Sequence, residues 1–380
     1  MKKLILFAIV ILLLLPQVGH SQSGTGSFMF GGQNRDYRFY VPPTYTGNTA
    51  VPLVFNLHGL TSDAFQQELY SGMNSVADTA GFIVCYPDGL NNSWNSGFSA
   101  PYWGGIDDVG FISVLIDTLS AQFNIDPARV FSCGMSNGGF MSFRLACELE
   151  DRIAAIASVT GTMTTLQTDN CVPTRPMPVL QIHGTLDAVV SYPGNTISLG
   201  VDSVINYWRT ANACTAPVVT YNFPDISFEG STVESFTYGG CTDGVEVIHY
   251  RVENGGHTWP GAFPIPAGIT NQDIDASVEI WRFFNRWTHP NPVLVSREEA
   301  APVQSLEIGP NPFADRVKIS GIEPGSVLMV TDSKGREVYR ATNVQNSELQ
   351  LSTTDWASGI YYLQAGQGEN ARFKVLAKQN

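Results

Sequence analysis

The segment Val130-Phe131-Ser132-Cys133-Gly134-Met135-Ser136-Asn137-Gly138-Gly139 constrains this chain more than any other. Its apolar half predicts a buried strand, and the rest reads G-x-S-x-G with a helix opening behind it. A serine at such a turn is lifted clear of the sheet edge. Gly134 and Gly138 fall where side chains would collide with the turn. The next backbone N–H, from Asn137, points at the same spot and can hold an oxyanion. Taken alone the motif is weak, because glycine and serine are common and an ordinary strand–helix turn reads the same way. The rest of the chain has to decide.

A serine hydroxyl is inert at neutral pH unless a base takes its proton, and the base needs a third group to orient it. In α/β-hydrolases these follow in the order Ser, Asp or Glu, His. After Ser136 comes an apolar stretch, Pro178 to His183, followed by Gly184-Thr185-Leu186-Asp187. Asp187 therefore falls just past a strand's C-terminal end, where open α/β sheets place their sites. A later strand, Val245 to Val252, ends in Glu253-Asn254-Gly255-Gly256-His257, and His257 sits in a glycine-rich loop. The ordered set is Ser136 as nucleophile, Asp187 as orienting acid and His257 as base.

Four of the other histidines fit structural roles, and His20 lies in the leader. His249 is mid-strand, His289 follows the last helix, and His183 braces the Asp187 loop. His58 ends the strand Pro52–Leu57 and opens His58-Gly59-Leu60. A His-Gly after an early strand marks the loop that gives the second oxyanion donor. That donor is assigned to the Leu60 N–H, with Thr61 as the alternative.

With these segments in view, residues 27 to 288 resemble the secreted esterase family that includes poly(3-hydroxybutyrate) depolymerases and feruloyl esterases. The carrying residues are Leu57-His58-Gly59, Tyr86-Pro87-Asp88-Gly89, Trp94-Asn95, Asp107 to Ile112, Gly134 to Gly139, His183 to Asp187 and Gly255 to Gly261. The resemblance implies an α/β-hydrolase fold, a mostly parallel sheet flanked by helices. It does not separate substrates within the family.

The chain opens Met1-Lys2-Lys3, then an apolar run from Leu4 to Leu15, then Pro16, Gly19 and Ser21. A charged start, a short apolar run and small residues at a cleavage site predict a secretory signal over 1–21, cut before Gln22. The run is short of the roughly 20 apolar residues a membrane span needs. Four units are expected: the signal, a catalytic domain over 22–289, a linker over 290–304 and a small all-β sandwich over 305–380. Pro290, Pro292, Glu298, Glu299 and Pro302 mark the linker. Before it, Ile274, Val278, Trp281, Phe284 and Trp287 recur at helical spacing. After it come short alternating strands such as Val327–Thr331 and Ile360–Leu363. Gly309-Pro310-Asn311-Pro312-Phe313, Asp332 to Gly335 and Gly359 to Leu363 resemble the C-terminal sorting domain of the Bacteroidetes type IX secretion system. That implies the secretion machinery as a partner and an extracellular or cell-surface destination. A carbohydrate-binding module would need an aromatic platform, and the tail holds a single tryptophan, Trp356.

Residues 22 to 302 hold eleven arginines, no lysine and 26 acidic residues. Such a surface repels phosphate and argues against a nucleic-acid partner. It favours a neutral ester substrate. All six cysteines fall in the catalytic domain, and export permits disulfides. Cys147 pairs with Cys171 and Cys214 with Cys241, the second link also implied by the resemblance. Cys85 and Cys133 sit in strands that the fold separates by the strand before His58, too far apart to bond.

The stretch from Asp88 to Asp108 is too polar for a helix and too aromatic for a plain linker. Trp94, Trp103 and Trp259 are expected to line an aromatic cleft over the site. Asp107 and Asp108 cap the helix that carries Val109, Ile112, Leu115, Ile116 and Leu119. No residues have metal-ligand spacing, and no cofactor is expected. The expected activity is that of a secreted serine esterase on feruloyl or acetyl groups of a polysaccharide, with polyester depolymerisation as the alternative. A non-catalytic binding protein on this scaffold would ordinarily lack the serine or the histidine.

Overall fold

The computed structural model describes residues 22–97, 105–293, 306–322, 324–332, 335–366 and 372–379. The expected signal and most of the expected linker lie outside the described residues. The chain divides into two compact units, Met1–Val295 and Ser296–Asn380.

The first unit starts with the hairpin β1 (Gln22–Phe30) and β2 (Gln33–Val41). Then follow β3 (Val51–Leu57), α1 (Ala64–Ser71), α2 (Met73–Ala80) and β4 (Ile83–Pro87). The elbow lies between β5 (Ile125–Met135), reached through α3 (Asp108–Gln122), and α4 (Asn137–Glu148). Beyond it come β6 (Ala155–Val159), α5 (Thr165–Asn170), β7 (Val179–Gly184) and α6 (Val201–Ala211). The unit closes with β8 (Val219–Asn222), β9 (Thr232–Tyr238), β10 (Val247–Glu253) and α7 (Ala276–Phe284).

These ten strands form one sheet in the order β1-β2-β4-β3-β5-β6-β7-β10-β9-β8. The six central strands, β4 to β10, run parallel, and the edges are antiparallel. Parallel strands need both faces covered, because their crossover helices lie on both sides. Alternation along each strand achieves this. Leu53, Phe55 and Leu57 of β3 face a core that includes Phe111 and Leu115 of α3 and Trp208 of α6. Val54 points to the other core, with Phe131, Met73 of α2 and Phe284 of α7. Phe131 and Phe284 stack at 4.7 Å. Burying each ring fully contributes about 1.5–3 kcal/mol. The expected face of the last helix shifts slightly: Ala276, Ile280, Phe283 and Phe284 are buried, whereas Val278 and Trp281 are half-buried.

Disulfides join Cys147 to Cys171 and Cys214 to Cys241. Both sit outside the central sheet and tie a helix end to a following loop.

The second unit is a sandwich of two antiparallel sheets. One contains β11 (Glu307–Gly309), β12 (Arg316–Ser320) and β15 (Glu348–Ser352). The other contains β13 (Ser326–Asp332), β14 (Glu337–Val344), β16 (Gly359–Ala365) and β17 (Arg372–Lys378). Val317, Ile319 and Leu351 from the first share a core with Leu328, Val330, Leu363 and Leu376 from the second. Trp356 packs on Tyr361 and Phe313. Among the described residues no helix is long and apolar enough to cross a membrane.

Cys85 on β4 and Cys133 on β5 are buried thiols with β3 between them. Burial pushes both thiols well above their ordinary range. A raised pKa means the thiolate, the reactive form, is scarce even in mildly alkaline solution. The folded protein should therefore show no thiol reactive toward a colorimetric disulfide reagent at pH 8. The denatured, unreduced protein should show two.

Candidate active site

The elbow is built by close approach of backbone. A methyl at Gly138 would lie 2.1 Å from the Leu57 carbonyl oxygen, and one at Gly134 would lie 2.6 Å from the Gly138 carbonyl carbon. Neither neighbour is a flexible side chain that could give way. Ser136, between them, is held at φ 53° and ψ −119°. Such a conformation costs of the order of 1–3 kcal/mol and persists because its surroundings over-determine it. Here the Ser136 N–H donates to Val159 and its carbonyl accepts from Phe140.

Asp187 and His257 meet at the C-terminal end of β7 and β10. His257 Nδ1 lies 2.7 Å from Asp187 Oδ2. The Asp187 carboxylate is out of contact with solvent. Oδ1 accepts from the Val189 and Val190 N–H groups, both at 2.8 Å. Oδ2 also faces His183 Nε2 at 3.3 Å. Burial would raise this carboxyl, but the hydrogen bonds from His183 and His257 outweigh it and hold Asp187 well below the usual carboxylate range. The acid therefore stays ionised, and the Nδ1 proton of His257 points at it. Nε2 is left as the acceptor. His257 and Ser136 line the same cleft. Among the described residues they make no direct hydrogen bond, and such contacts tighten once substrate is bound.

The two expected oxyanion donors are also placed. Asn137 opens α4, where the first N–H groups have no partner within the helix. The Thr61 N–H, the alternative for the second donor, donates to Asn92 O at 2.8 Å. Leu60 lines the cleft beside Gly59 and Ser136, and among the described residues its N–H has no acceptor. His58 shapes this loop. Its Nε2 accepts from the Gly89 N–H at 2.9 Å, and its Nδ1 lies 2.7 Å from Gly59 O. Burial lowers its pKa.

The aromatic cleft expected from tryptophans needs correction. Trp94 and Trp259 are only 3% and 1% exposed. The Trp94 indole N–H donates to His58 O, and that of Trp259 to Ser277 Oγ. An indole is large enough that burial outweighs display, provided its N–H finds a partner. Trp103 lies outside the described residues. The walls of the cleft, of about 350 Å³, come instead from Leu60, Leu69, Tyr70, Phe263 and Ile265. Apart from Leu60, sequence reasoning missed these. The only signal was position: α1 follows the His-Gly loop, and Phe263 follows the His257 loop.

It also missed what the Asn137 side chain does. Its Oδ1 accepts from the Trp94 N–H at 2.7 Å, and its Nδ2 donates to Ser96 Oγ at 2.6 Å. Asp107 caps α3 as expected, but Asp108 does more. It pairs with Arg35 at 2.6 Å, wholly buried, and accepts from the Asn95 N–H. Removing one partner of such a pair costs about 3–5 kcal/mol. Away from the cleft, Asp225, Glu229 and Asp273 bring carboxylate oxygens within 4.8 Å of one another. The Asn271 amide already donates to Glu229 and Asp273, and acidic groupings are common on a surface this negative.

A mostly parallel sheet, a serine on a strained elbow, and an acid and a histidine at the following strand ends define an α/β-hydrolase. Residues 35–194 match the family described as esterase PHB depolymerase, and residues 307–379 match the secretion system C-terminal sorting domain. A protein named as an esterase in Nocardia uniformis subsp. tsuyamanensis is 30% identical over 272 residues, 65% of this chain and 78% of that one. The chain belongs to this esterase family. It is also similar to a bifunctional acetylxylan esterase/xylanase of Neocallimastix patriciarum, 29% identical over 266 residues, and to feruloyl esterase B of Piromyces equi, 32% identical over 231 residues. Those matches cover 70% and 57% of this chain. The chain spans only 35% and 41% of the length of those two relatives.

Proposed function

We propose that the protein is a serine carboxylic ester hydrolase that removes feruloyl or acetyl groups from polysaccharide through an acyl-enzyme. The observation that carries this reading is the 2.7 Å contact of His257 with a buried, ionised Asp187 at the cleft that holds Ser136. In this mechanism Ser136 Oγ attacks the ester carbonyl while His257 Nε2 takes its proton. Asp187 orients the imidazole and stabilises the imidazolium. The Leu60 and Asn137 N–H groups hold the oxyanion. His257 then gives its proton to the leaving alcohol. Water, activated by the same imidazole, clears the acyl group and regenerates Ser136.

The cleft supports a neutral ester. Its walls are mainly apolar, and among the described residues no lysine or arginine lines it. The relatives named as acetylxylan and feruloyl esterases support a sugar-linked acyl group. The family description favours a second reading, a polyester such as poly(3-hydroxybutyrate). Ser136→Ala should fold as wild type and lose kcat on any ester by several orders of magnitude, since such a triad acts as a unit. Wild-type rates on methyl ferulate, acetylated xylan and 3-hydroxybutyrate oligomer should rank the first two above the third. A preference for the oligomer would favour the polyester reading, and an active Ser136→Ala would remove both.

The sorting domain supports delivery to the exterior or the cell surface by the type IX machinery, after a signal over 1–21. Deleting residues 305–380 should leave kcat/KM on a small soluble ester unchanged and hold the enzyme inside the cell envelope. Normal export of the shortened chain, measured by fractionation, would defeat that assignment.

A further inference from the structure

Asp187 is served by two imidazoles, and the proposed mechanism uses one. The other, His183 on β7, is entirely buried. Its Nε2 lies 2.8 Å from Val190 O and 3.3 Å from Asp187 Oδ2. Its Nδ1 lies 3.0 Å from the Gln181 side-chain nitrogen. That same nitrogen lies 2.8 Å from Gly161 O. A carbonyl only accepts, so the Gln181 amide must turn its NH₂ toward Gly161. The second N–H of that NH₂ then faces His183 Nδ1. Nδ1 is the acceptor and the ring proton sits on Nε2, directed at Val190 O at 2.8 Å with Asp187 Oδ2 beside it at 3.3 Å. The orientation carries a cost: Gln181 Oε1 is buried with no partner among the described residues.

The chain of contacts returns to the nucleophile. Gly161 is packed so closely against the elbow that an added methyl would lie 2.7 Å from the Ser136 carbonyl oxygen. A continuous set of polar contacts thus runs from the loop under Ser136 through Gln181 and His183 to Asp187, and on to His257. The carboxylate receives two backbone donors on Oδ1 and two imidazoles on Oδ2.

We propose that His183 is a positioning residue: an Nε2–H donor, fixed in that tautomer by Gln181, that holds the Asp187 carboxylate in the plane and orientation that aligns His257. The inference rests on the proposed triad. It acts through Asp187 and touches no substrate, since His183 does not line the cleft. Loss of the donor leaves His257 alone to hold Oδ2, so the pair can swing together about the backbone-bonded oxygen, and misalignment of the base appears in the rate of acylation.

The test compares His183→Leu, which removes the donor, with His183→Gln, whose amide places an N–H near the Nε2 position. End-point labelling with a fluorophosphonate counts competent sites in each preparation, so a partly folded sample does not distort kcat per site. His183→Leu should lose about 10- to 100-fold in kcat per labelled site, with KM within about threefold, the pattern of an interaction made in the transition state. His183→Gln should recover to within about threefold of wild type. Unchanged kcat in His183→Leu, a change confined to KM, or a His183→Gln as slow as His183→Leu would overturn the inference. Wild-type protein that neither labels nor hydrolyses esters would instead overturn the proposed function on which it stands.

Discussion

A carboxylate removed from water stays charged only if donors replace the water it has lost. Asp187 has three hydrogen-bond donors, the Val189 and Val190 N–H groups on one oxygen and His257 on the other, with the His183 Nε2 beside that second oxygen at 3.3 Å. Much of the fold exists to bring them together. Strand β7 ends where the Asp187 loop begins, β10 runs parallel beside it, and the loop after β10 delivers His257. Were the carboxylate neutral, it could not stabilise an imidazolium, and the serine would have no effective base. The depressed pKa of Asp187 is thus both a statement about local stability and a condition of the chemistry.

The other half of the cleft is held by a different network. The Asn137 side chain clasps Trp94 and Ser96, Trp94 reaches His58, and Asn92 accepts from Thr61. The oxyanion loop is therefore tied to the segment after β4, which is tied in turn to the first residue of α4. Arg35 and Asp108 anchor that segment from beneath, with Asp108 accepting from the Asn95 N–H. Preorganised donors act strongly because they need not reorient during the reaction. In the proposed mechanism the Leu60 N–H meets the oxyanion, while its neighbour's N–H is taken by Asn92 O.

The elbow, the order Ser136, Asp187, His257, the two disulfides and the β-rich tail were legible in the sequence. The elbow and the tail rest on local rules, glycines where backbones touch and period-two alternation, while the order of the three site residues and the Cys214–Cys241 link were also carried by the family resemblance. The cleft walls were not legible. Trp94 and Trp259 sit in motifs beside the site, and nothing local tells whether an indole faces the cleft or the core. Packing decided it, through the partners offered by His58 O and Ser277 Oγ. Leu69, Tyr70, Phe263 and Ile265 carry no motif and converge only in three dimensions. The role of Asn137 was half legible. Its backbone position follows from the turn, whereas its side-chain partners lie 41 and 43 residues away.

The central claim is that Ser136 carries the acyl group. Acid quenching in the first turnover with a feruloyl ester, followed by intact-mass analysis and peptide mapping, tests it most directly. The account predicts a single feruloyl adduct on the peptide that contains Ser136, absent from Ser136→Ala. Product formation with no adduct on that peptide, or an adduct on another residue, would contradict it.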